Sequence, residues 1–185
     1  MPLAVTKLKV GDPAPDIFLP AANGLEVSLR ACVVEGPVLV EFIRGTWCPN
    51  GRGRLKALAD ARGSFRDEGA RILVVVCEKP ANVLRYLAAS PSPLTVLLDE
   101  RRYVARAFGV HHRFGLGAWN IARPASFLID RAGFVRRVFV ARLPIEADPV
   151  ASLLEALRAV REEEARKRSA GQKRGSRPGG PGAGC

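Results

Sequence analysis

Two largely apolar runs joined by one amphipathic stretch constrain the fold of this 185-residue chain more than any other feature. The first run, Val-Leu-Val-Glu-Phe-Ile, covers residues 38–43, and the second, Ile-Leu-Val-Val-Val-Cys, covers residues 72–77. Continuous apolar runs of this length are typical of strands covered on both faces. The stretch between them repeats its apolar residues at helical spacing until about Gly69. Strand, crossover helix and strand form a βαβ unit, so we predict that the two strands are parallel.

The flanking segments extend this unit to an α/β domain with a mixed sheet. Asn23 and Gly24 lie between two short alternating runs, which predicts an N-terminal β-hairpin. The other predicted elements, in chain order, are a helix from Pro80, a strand at 95–99, a brief helix ending at Gly109, a loop at 110–123, a β-hairpin over 126–140 and a closing helix. This order predicts a three-layer arrangement with helices on both faces of the sheet.

The composition separates a folded domain from a tail. From residue 167 the chain is rich in Gly, Pro, Ser, Lys and Arg, which cannot bury a core. We therefore predict one domain over 1–166 and a basic, disordered tail over 167–185. The net charge of +11 is spread over both parts without a clustered motif or stacking aromatic residues, so no specific nucleic-acid role is expected. The absence of a membrane-length apolar run and of a secretory signal predicts a cytoplasmic protein without membrane contact.

The chemistry of the chain centres on Cys48, which follows the first strand and directly precedes Pro49 and a helical pattern. A thiol at the amino end of a helix meets unpaired N–H groups and the positive end of the helix dipole, so it more easily becomes the nucleophilic thiolate. Gly51 stands where a Cys-x-x-Cys dithiol has its second cysteine. The four cysteines lack the spacing of a disulfide scaffold or a zinc site. The expectation is single-thiol chemistry without a metal or other cofactor.

The chain resembles the peroxiredoxin-like branch of the alkyl hydroperoxide reductase/thiol-specific antioxidant (redoxin) superfamily, which has the thioredoxin fold. Four features carry this resemblance: the Val-Gly-Asp-Pro-Ala-Pro-Asp opening at 10–16, the active-site strand and turn at 42–49, the segment 123–133, and the order of the final hairpin and helix. Together they cover about residues 7–160. The resemblance implies a thioredoxin-like three-layer sandwich with a mixed central sheet and an N-terminal β-hairpin.

The resemblance also implies a function. Cys48 would reduce a hydroperoxide and become a sulfenic acid, which serves cell redox homeostasis as an antioxidant activity. The leaving hydroxide needs hydrogen-bond donors, and we expect them from Thr46, from backbone N–H groups and from Arg123, which adjoins the segment expected to face the cysteine. Arg44 is a second candidate arginine. Relatives keep their threonine three residues before the cysteine, where this chain has Gly45.

Two more residues are expected to shape the substrate pocket. Pro124 stands where related proteins keep a cis-proline that faces the active cysteine, and Trp47 would form one wall. His111 and His112 are adjacent in the predicted loop and have no acidic or cysteine neighbours, so a surface position is expected rather than a metal site.

The sulfenic acid must then be resolved by a thiol. Cys77 and Cys185 are the candidate resolving cysteines, but the first ends an apolar strand and the second terminates the tail. We therefore expect a one-cysteine mechanism with an external small thiol or a thioredoxin-type reductant, and a homodimer remains open. Two alternatives also stay open: a monothiol protein that exchanges disulfides with glutathione, and a non-catalytic thioredoxin-fold binding module.

Overall fold

The computed structural model describes residues 8–115 and 118–175, and a mixed five-stranded sheet lies at its centre. In chain order the elements are β1 (Phe18–Pro20), β2 (Glu26–Ser28), α1 (Leu29–Glu35), β3 (Val38–Ile43), α2 (Pro49–Asp67), β4 (Arg71–Val76), α3 (Pro80–Ala89), β5 (Thr95–Leu98), α4 (Tyr103–Ala107), β6 (His111–Gly115), β7 (Ala118–Ala122), β8 (Ala125–Ile129), β9 (Val135–Val140) and α5 (Val150–Gly175). The central sheet has the order β5-β4-β3-β8-β9.

Strand β3 is the middle strand and carries the turn that contains Cys48 at its carboxyl end. It pairs with β4 in parallel, from Val38 opposite Arg71 to Ile43 opposite Val76, which confirms the predicted βαβ unit. On its other side β3 pairs with β8 in the antiparallel direction. Both neighbours place residues beside the turn that follows Ile43, so this edge of the sheet is where functional side chains can meet.

The two faces of β3 contribute to separate hydrophobic cores. Val38, Val40 and Phe42 pack on the side covered by α1 and α4. Leu39 and Ile43 pack on the side covered by α2, α3 and α5. The arrangement is the predicted three-layer α/β sandwich, because a central strand buried on both faces requires helices above and below the sheet.

The N-terminal hairpin is confirmed. Strands β1 and β2 are antiparallel, and the Asn23 side chain accepts a hydrogen bond from the backbone N–H of Leu25 at 3.2 Å. Gly24 has φ +84°, a conformation that favours glycine. Ala22 donates a backbone hydrogen bond to Val96 in β5, which attaches the hairpin to the edge of the central sheet.

The predicted loop at 110–123 is wrong, because residues 111–115 and 118–122 form the antiparallel pair β6–β7. His111 Nε2 lies 2.7 Å from Asn120 Oδ1, and Arg102 Nε donates to the carbonyl of Asn120 at 2.6 Å. These cross-strand and long-range contacts hold a hairpin whose own sequence has no alternating pattern.

The predicted start of the disordered tail at residue 167 also needs correction, because α5 continues to Gly175. Lys167 pairs with Glu163 at i,i+4, and the Ser169 hydroxyl bonds to the carbonyls of Ala165 and Arg166. A run of Glu, Ala, Arg and Lys has high helix propensity, so the helix extends beyond the part that packs on the sheet. None of the described helices is long and apolar enough to cross a membrane.

Candidate active site

Cys48 lies at the junction between β3 and α2, as the N-cap residue of the helix that Pro49 begins. Its φ and ψ are −87° and 124°, which is extended backbone. Its sulfur accepts no hydrogen bond from the first-turn N–H groups of α2, so the side chain does not cap the helix. Cys48 is only 3% exposed. The thiol is therefore close to the positive end of a 19-residue helix and largely shielded from water.

Close packing around Gly51 leaves no room for a side chain where a Cys-x-x-Cys dithiol has its second cysteine. A Cβ atom at residue 51 would lie 2.5 Å from the carbonyl oxygen of Gly45 and 3.7 Å from Cβ of Cys48. The first distance is shorter than real Cβ contacts, so any side chain here requires the backbone of the turn to move. The active-site turn folds tightly over the start of α2 because residue 51 is glycine.

The turn itself depends on Gly45 and on a residue that follows the neighbouring strand β4. Gly45 has φ +149°, and a Cβ atom there would collide with the Trp47 indole and lie 3.1 Å from Oε2 of Glu78. The same Oε2 atom accepts hydrogen bonds from the Thr46 backbone N–H at 2.8 Å and from the Thr46 hydroxyl at 2.9 Å. Thr46 is therefore held by Glu78, a residue that the sequence analysis missed.

A groove of about 290 Å³ runs along the first turns of α2; Pro49, the residue after Cys48, lines it, and Cys48 itself does not. Arg44, Pro49 and Pro124 line it together with the segment 144–147. Arg44 is buried, and its guanidinium lies 5.1 Å from the centre of the Trp47 ring, which is a cation–π distance. Of the three predicted pocket residues, Arg44 and Pro124 line this groove, whereas Trp47 is half exposed and contacts Arg44.

The segment before β8 departs from one expectation. The bond between Arg123 and Pro124 is trans, so the cis-proline implied by the resemblance is absent from this position. The side chain of Arg123 is exposed, and its backbone N–H donates to the carbonyl of Val110. Its charge acts on His112, whose pKa is lowered by burial first and by Arg123 second. Arg44 and Arg54 line the groove, whereas Arg123 does not.

Cys77 is an unsuitable resolving thiol in this structure. It is buried in the core on the α1 and α4 side, and its Sγ atom lies 3.7 Å from Oδ2 of Asp99. Burial, and then the charge of Asp99, raise the pKa of Cys77 to about 12. A thiol that keeps its proton is a poor nucleophile. The other candidate, Cys185, lies outside the described residues.

A buried ion pair links the two elements on either side of Cys48, and the sequence analysis did not anticipate it. Glu41 on β3 accepts hydrogen bonds from Nε and Nη2 of Arg54 on α2, at 2.7 and 3.1 Å. Ser126 on β8 donates to Glu41 at 2.6 Å, and Arg54 donates to the carbonyl of Asp148 at 2.7 Å. Burial raises the pKa of Glu41, and the bonds from Arg54 and Ser126 oppose that effect.

A sequence signal for this pair existed. Glu41 interrupts the otherwise apolar strand 38–43, and a charged residue in a buried strand needs a buried partner. Among the described residues, no group of three or more His, Cys, Asp or Glu side chains could hold a metal ion. His111 and His112 lie on β6 instead of the predicted loop.

The sequence matches one protein family and resembles individual peroxiredoxins. Residues 10–138 match the AhpC/TSA family. Peroxiredoxin Bcp of Escherichia coli (strain K12) is 30% identical over 134 residues, which are 71% of this chain and 85% of that protein. A putative peroxiredoxin of Mycobacterium tuberculosis (strain CDC 1551 / Oshkosh) is 27% identical over 145 residues, which are 77% of this chain and 89% of that protein.

Solved structures agree on the fold. Peroxidoxin BcpB from Mycobacterium tuberculosis superposes with a TM-score of 0.73 at 23% identity. The match covers 83% of this chain and 98% of that chain. The reduced 2-Cys peroxiredoxin of Plasmodium vivax superposes with a TM-score of 0.73 at 20% identity. The match covers 84% of this chain and 83% of that chain. Both confirm the thioredoxin-like sandwich. Since the family match spans most of the chain and contains the Cys48 turn, the chain belongs to the AhpC/TSA family.

Proposed function

We propose that this protein is a thiol-dependent hydroperoxide reductase in which Cys48 is the only cysteine that reacts with peroxide. One observation carries the one-cysteine form of the proposal: the dithiol position is closed, because a Cβ atom at residue 51 would lie 2.5 Å from the Gly45 carbonyl oxygen. The family and the names of its relatives support the peroxidase activity.

The chemistry follows from the position of the thiol. The Cys48 thiolate attacks one peroxide oxygen, an S–O bond forms and the O–O bond breaks. The departing hydroxide or alkoxide takes a proton and leaves as water or an alcohol, and sulfur becomes a sulfenic acid. An external thiol then condenses with the sulfenic acid, which releases water and leaves a mixed disulfide. A second thiol molecule attacks this disulfide, restores Cys48 and leaves as the oxidised disulfide.

The donors for the leaving oxygen are proposed from the groove. They are the backbone N–H groups at the start of α2, where the helix favours negative charge, and the buried guanidinium of Arg44 on the groove wall. Arg123 is the weaker candidate because its side chain is exposed and it does not line the groove. Thr46 contributes by holding the turn through its hydrogen bonds to Glu78.

The reductant enters from solution in this proposal. Cys32 and Cys77 are both buried and free, and Cys77 keeps its proton up to high pH. A small thiol or a thioredoxin-type protein therefore has to reach Cys48 from outside, and we propose that it docks at the groove lined by Pro49, Pro144 and Ile145. A cytoplasmic location and a homodimer stay predictions.

The direct test is steady-state peroxide consumption by the reduced protein with glutathione, dithiothreitol or a thioredoxin system as reductant. We expect turnover for the wild type and for Cys77→Ala and Cys185→Ser, and none above the thiol background for Cys48→Ser. Loss of turnover in Cys185→Ser would contradict the one-cysteine form, and equal rates for Cys48→Ser and wild type would contradict the peroxidase.

The same preparation separates the alternatives. A monothiol exchange protein would form a mixed disulfide on Cys48 with oxidised glutathione rapidly while reacting with peroxide no faster than a free cysteine. A binding module would do neither. Mass spectrometry of the intact protein after exposure to each oxidant distinguishes the three outcomes by the mass added to Cys48.

A further inference from the structure

Glu78 makes the contacts that fix the active-site turn. One carboxylate oxygen, Oε2, accepts hydrogen bonds from the backbone N–H of Thr46 at 2.8 Å and from its hydroxyl at 2.9 Å. Hydrogen bonds to an ionised acceptor are stronger than neutral ones. Thr46 is buried and lies two residues before Cys48, whose own N–H donates to the Gly45 carbonyl at 3.3 Å.

The sheet register explains why Glu78 lies here. Ile43 at the end of β3 is opposite Val76 at the end of β4. The chain continues beyond both strands at the same edge of the sheet, because the strands are parallel. Glu78 is two residues past Val76, and Thr46 is three residues past Ile43, so the two residues meet above the sheet. The side chain of Glu78 is half-buried against the turn.

These contacts occupy the hydroxyl proton of Thr46. A threonine hydroxyl has one O–H to donate, and Thr46 donates it to Glu78. The hydroxyl cannot donate to a peroxide or to the Cys48 sulfur in the same arrangement. The function of Thr46 in this chain is therefore to connect the turn to Glu78 rather than to stabilise the leaving oxygen.

We propose that Glu78 is a positioning residue for Cys48, which holds the 44–48 turn in the geometry that places the thiol at the N-terminus of α2. The proposal rests on the proposed function. It assigns two opposing effects to one carboxylate. Its hydrogen bonds hold the turn and speed the reaction of Cys48. Its negative charge, bonded to the residue two positions before Cys48, opposes formation of the thiolate.

Other charged groups surround the same turn. Arg44 lies on it, Arg52 lies in the first turn of α2, and Arg123 lies just before β8. Arg102 donates to the carbonyl of Cys77 at 3.4 Å, and Asp99 contacts the Cys77 thiol. Each of these charged residues is retained in the Glu78 variants, so the charge removed is that of Glu78 alone.

The test separates the two effects with matched variants in a Cys185→Ser background. Glu78→Gln keeps an oxygen acceptor and removes the charge, Glu78→Ala removes both, and Thr46→Val removes the hydroxyl bond alone. Glu26→Gln is the control, because it removes one exposed negative charge on β2, away from the turn. The readouts are the rate of sulfenic acid formation with hydrogen peroxide and the rate of Cys48 alkylation by iodoacetamide, both as functions of pH.

For Glu78→Ala we expect peroxide reaction to fall about tenfold or more, since two charge-assisted hydrogen bonds to the turn are lost. Glu78→Gln should lose less, and its pH–rate profiles for both reagents should move to lower pH by about half a unit or more. The double variant Glu78→Ala/Thr46→Val should be no slower than Glu78→Ala, because both substitutions remove the same contact. Glu26→Gln should follow the wild-type profile.

The proposal is overturned if folded Glu78→Ala matches the wild type in both reactions, or if Glu78→Gln leaves both pH profiles in place. Thermal denaturation of each variant establishes that it is folded. If Glu78→Ala does not fold, the pH–rate profiles of Glu78→Gln and Thr46→Val test the proposal. The alkylation profile reports on the turn even if no peroxide reacts, so failure of the peroxidase proposal and failure of the Glu78 proposal give different results.

Discussion

Gly51 and Gly53 are two residues apart on α2, but only position 53 has space for a side chain. A Cβ atom at 51 would meet the Gly45 carbonyl oxygen at 2.5 Å, whereas a Cβ atom at 53 has nothing within 4 Å. We expect Gly51→Ala to lower the free energy of unfolding by about 1–3 kcal/mol, because overpacking strains the turn. Gly53→Ala should raise it by about 0.5–1 kcal/mol, because alanine favours the helix.

Urea denaturation of the two variants measures both values against the wild type. The pair is informative because the chemical change and the helix are the same and only the local packing differs. Equal stability changes at 51 and 53 would show that the turn does not close on residue 51.

Cys77 should make the protein less stable in alkali. The unfolded thiol loses its proton near pH ~8.5, whereas burial and Asp99 raise the pKa of the folded thiol to about 12. Between these values the unfolded state binds fewer protons than the folded state, so stability falls as pH rises. The loss from this group should approach about 1.4 kcal/mol per pH unit above pH ~8.5.

Thermal or urea denaturation at pH 7.5 and pH 10 tests this expectation. The stability of Cys77→Ala should decline less over this interval than that of the wild type, because the variant has no thiol at this position to titrate. An identical decline in both proteins would contradict the raised pKa. The native protein should also leave Cys77 unmodified by disulfide reagents at pH 8, which peptide mass spectrometry can establish.

The pair formed by Glu41 and Arg54 joins β3 to α2, the two elements that meet at Cys48. Both side chains are buried, at 2% and 9% exposure. Arg54→Met leaves the Glu41 carboxylate buried without its ionic partner, which costs about 3–5 kcal/mol. The double variant Glu41→Leu/Arg54→Met should recover a large part of that loss, because neither buried charge remains.

The pH dependence of Arg54→Met provides a further test. Burial raises the pKa of Glu41, and Arg54 is the main opposing influence. Without Arg54 the carboxyl group is easier to protonate, so the variant should approach wild-type stability as the pH falls from 7.5 toward 5. Urea denaturation at both pH values measures this. A stability deficit that stays constant between them would argue against a buried Glu41 charge.

Prediction from the sequence succeeded for elements whose own residues carry a pattern. Local sequence preferences agree with the fold at the apolar runs of β3 and β4, at the Asn23-Gly24 turn and at Pro49, where α2 begins. The hairpin β6–β7 was missed because its stability comes from contacts with distant residues such as Arg102. The extension of α5 was missed because helix propensity and i,i+4 pairs outweigh the polar composition.

The same distinction holds for the candidate site. Cys48 could be recognised because its surroundings are contiguous in sequence. Glu78 could not, since its contact with Thr46 spans 32 residues and depends on the register of two parallel strands. The trans bond before Pro124 departs from the resemblance, and nothing in the local sequence distinguishes the two isomers.

At the scale of the whole molecule, the fold places Cys48 apart from Cys32 and Cys77. Cys32 and Cys77 are buried in the core on the α1 and α4 side, and Cys48 opens a helix beside the groove. Peroxide-treated protein should therefore carry a sulfenic acid on Cys48 and no disulfide among Cys32, Cys48 and Cys77. Dimedone labelling followed by peptide mass spectrometry measures this. An internal disulfide that includes Cys77 would require a structure different from this one.

The most direct test is stopped-flow mixing of the reduced protein with hydrogen peroxide or an alkyl hydroperoxide, followed by tryptophan fluorescence. Trp47 is adjacent to Cys48 in sequence, and Trp119→Phe removes the other tryptophan. We predict a second-order fluorescence change, far faster than the oxidation of free cysteine, that yields dimedone-reactive Cys48 and is absent in Cys48→Ser. A wild-type rate equal to that of free cysteine, or an unchanged signal in Cys48→Ser, would contradict the assignment of Cys48 as the peroxide-reducing thiol.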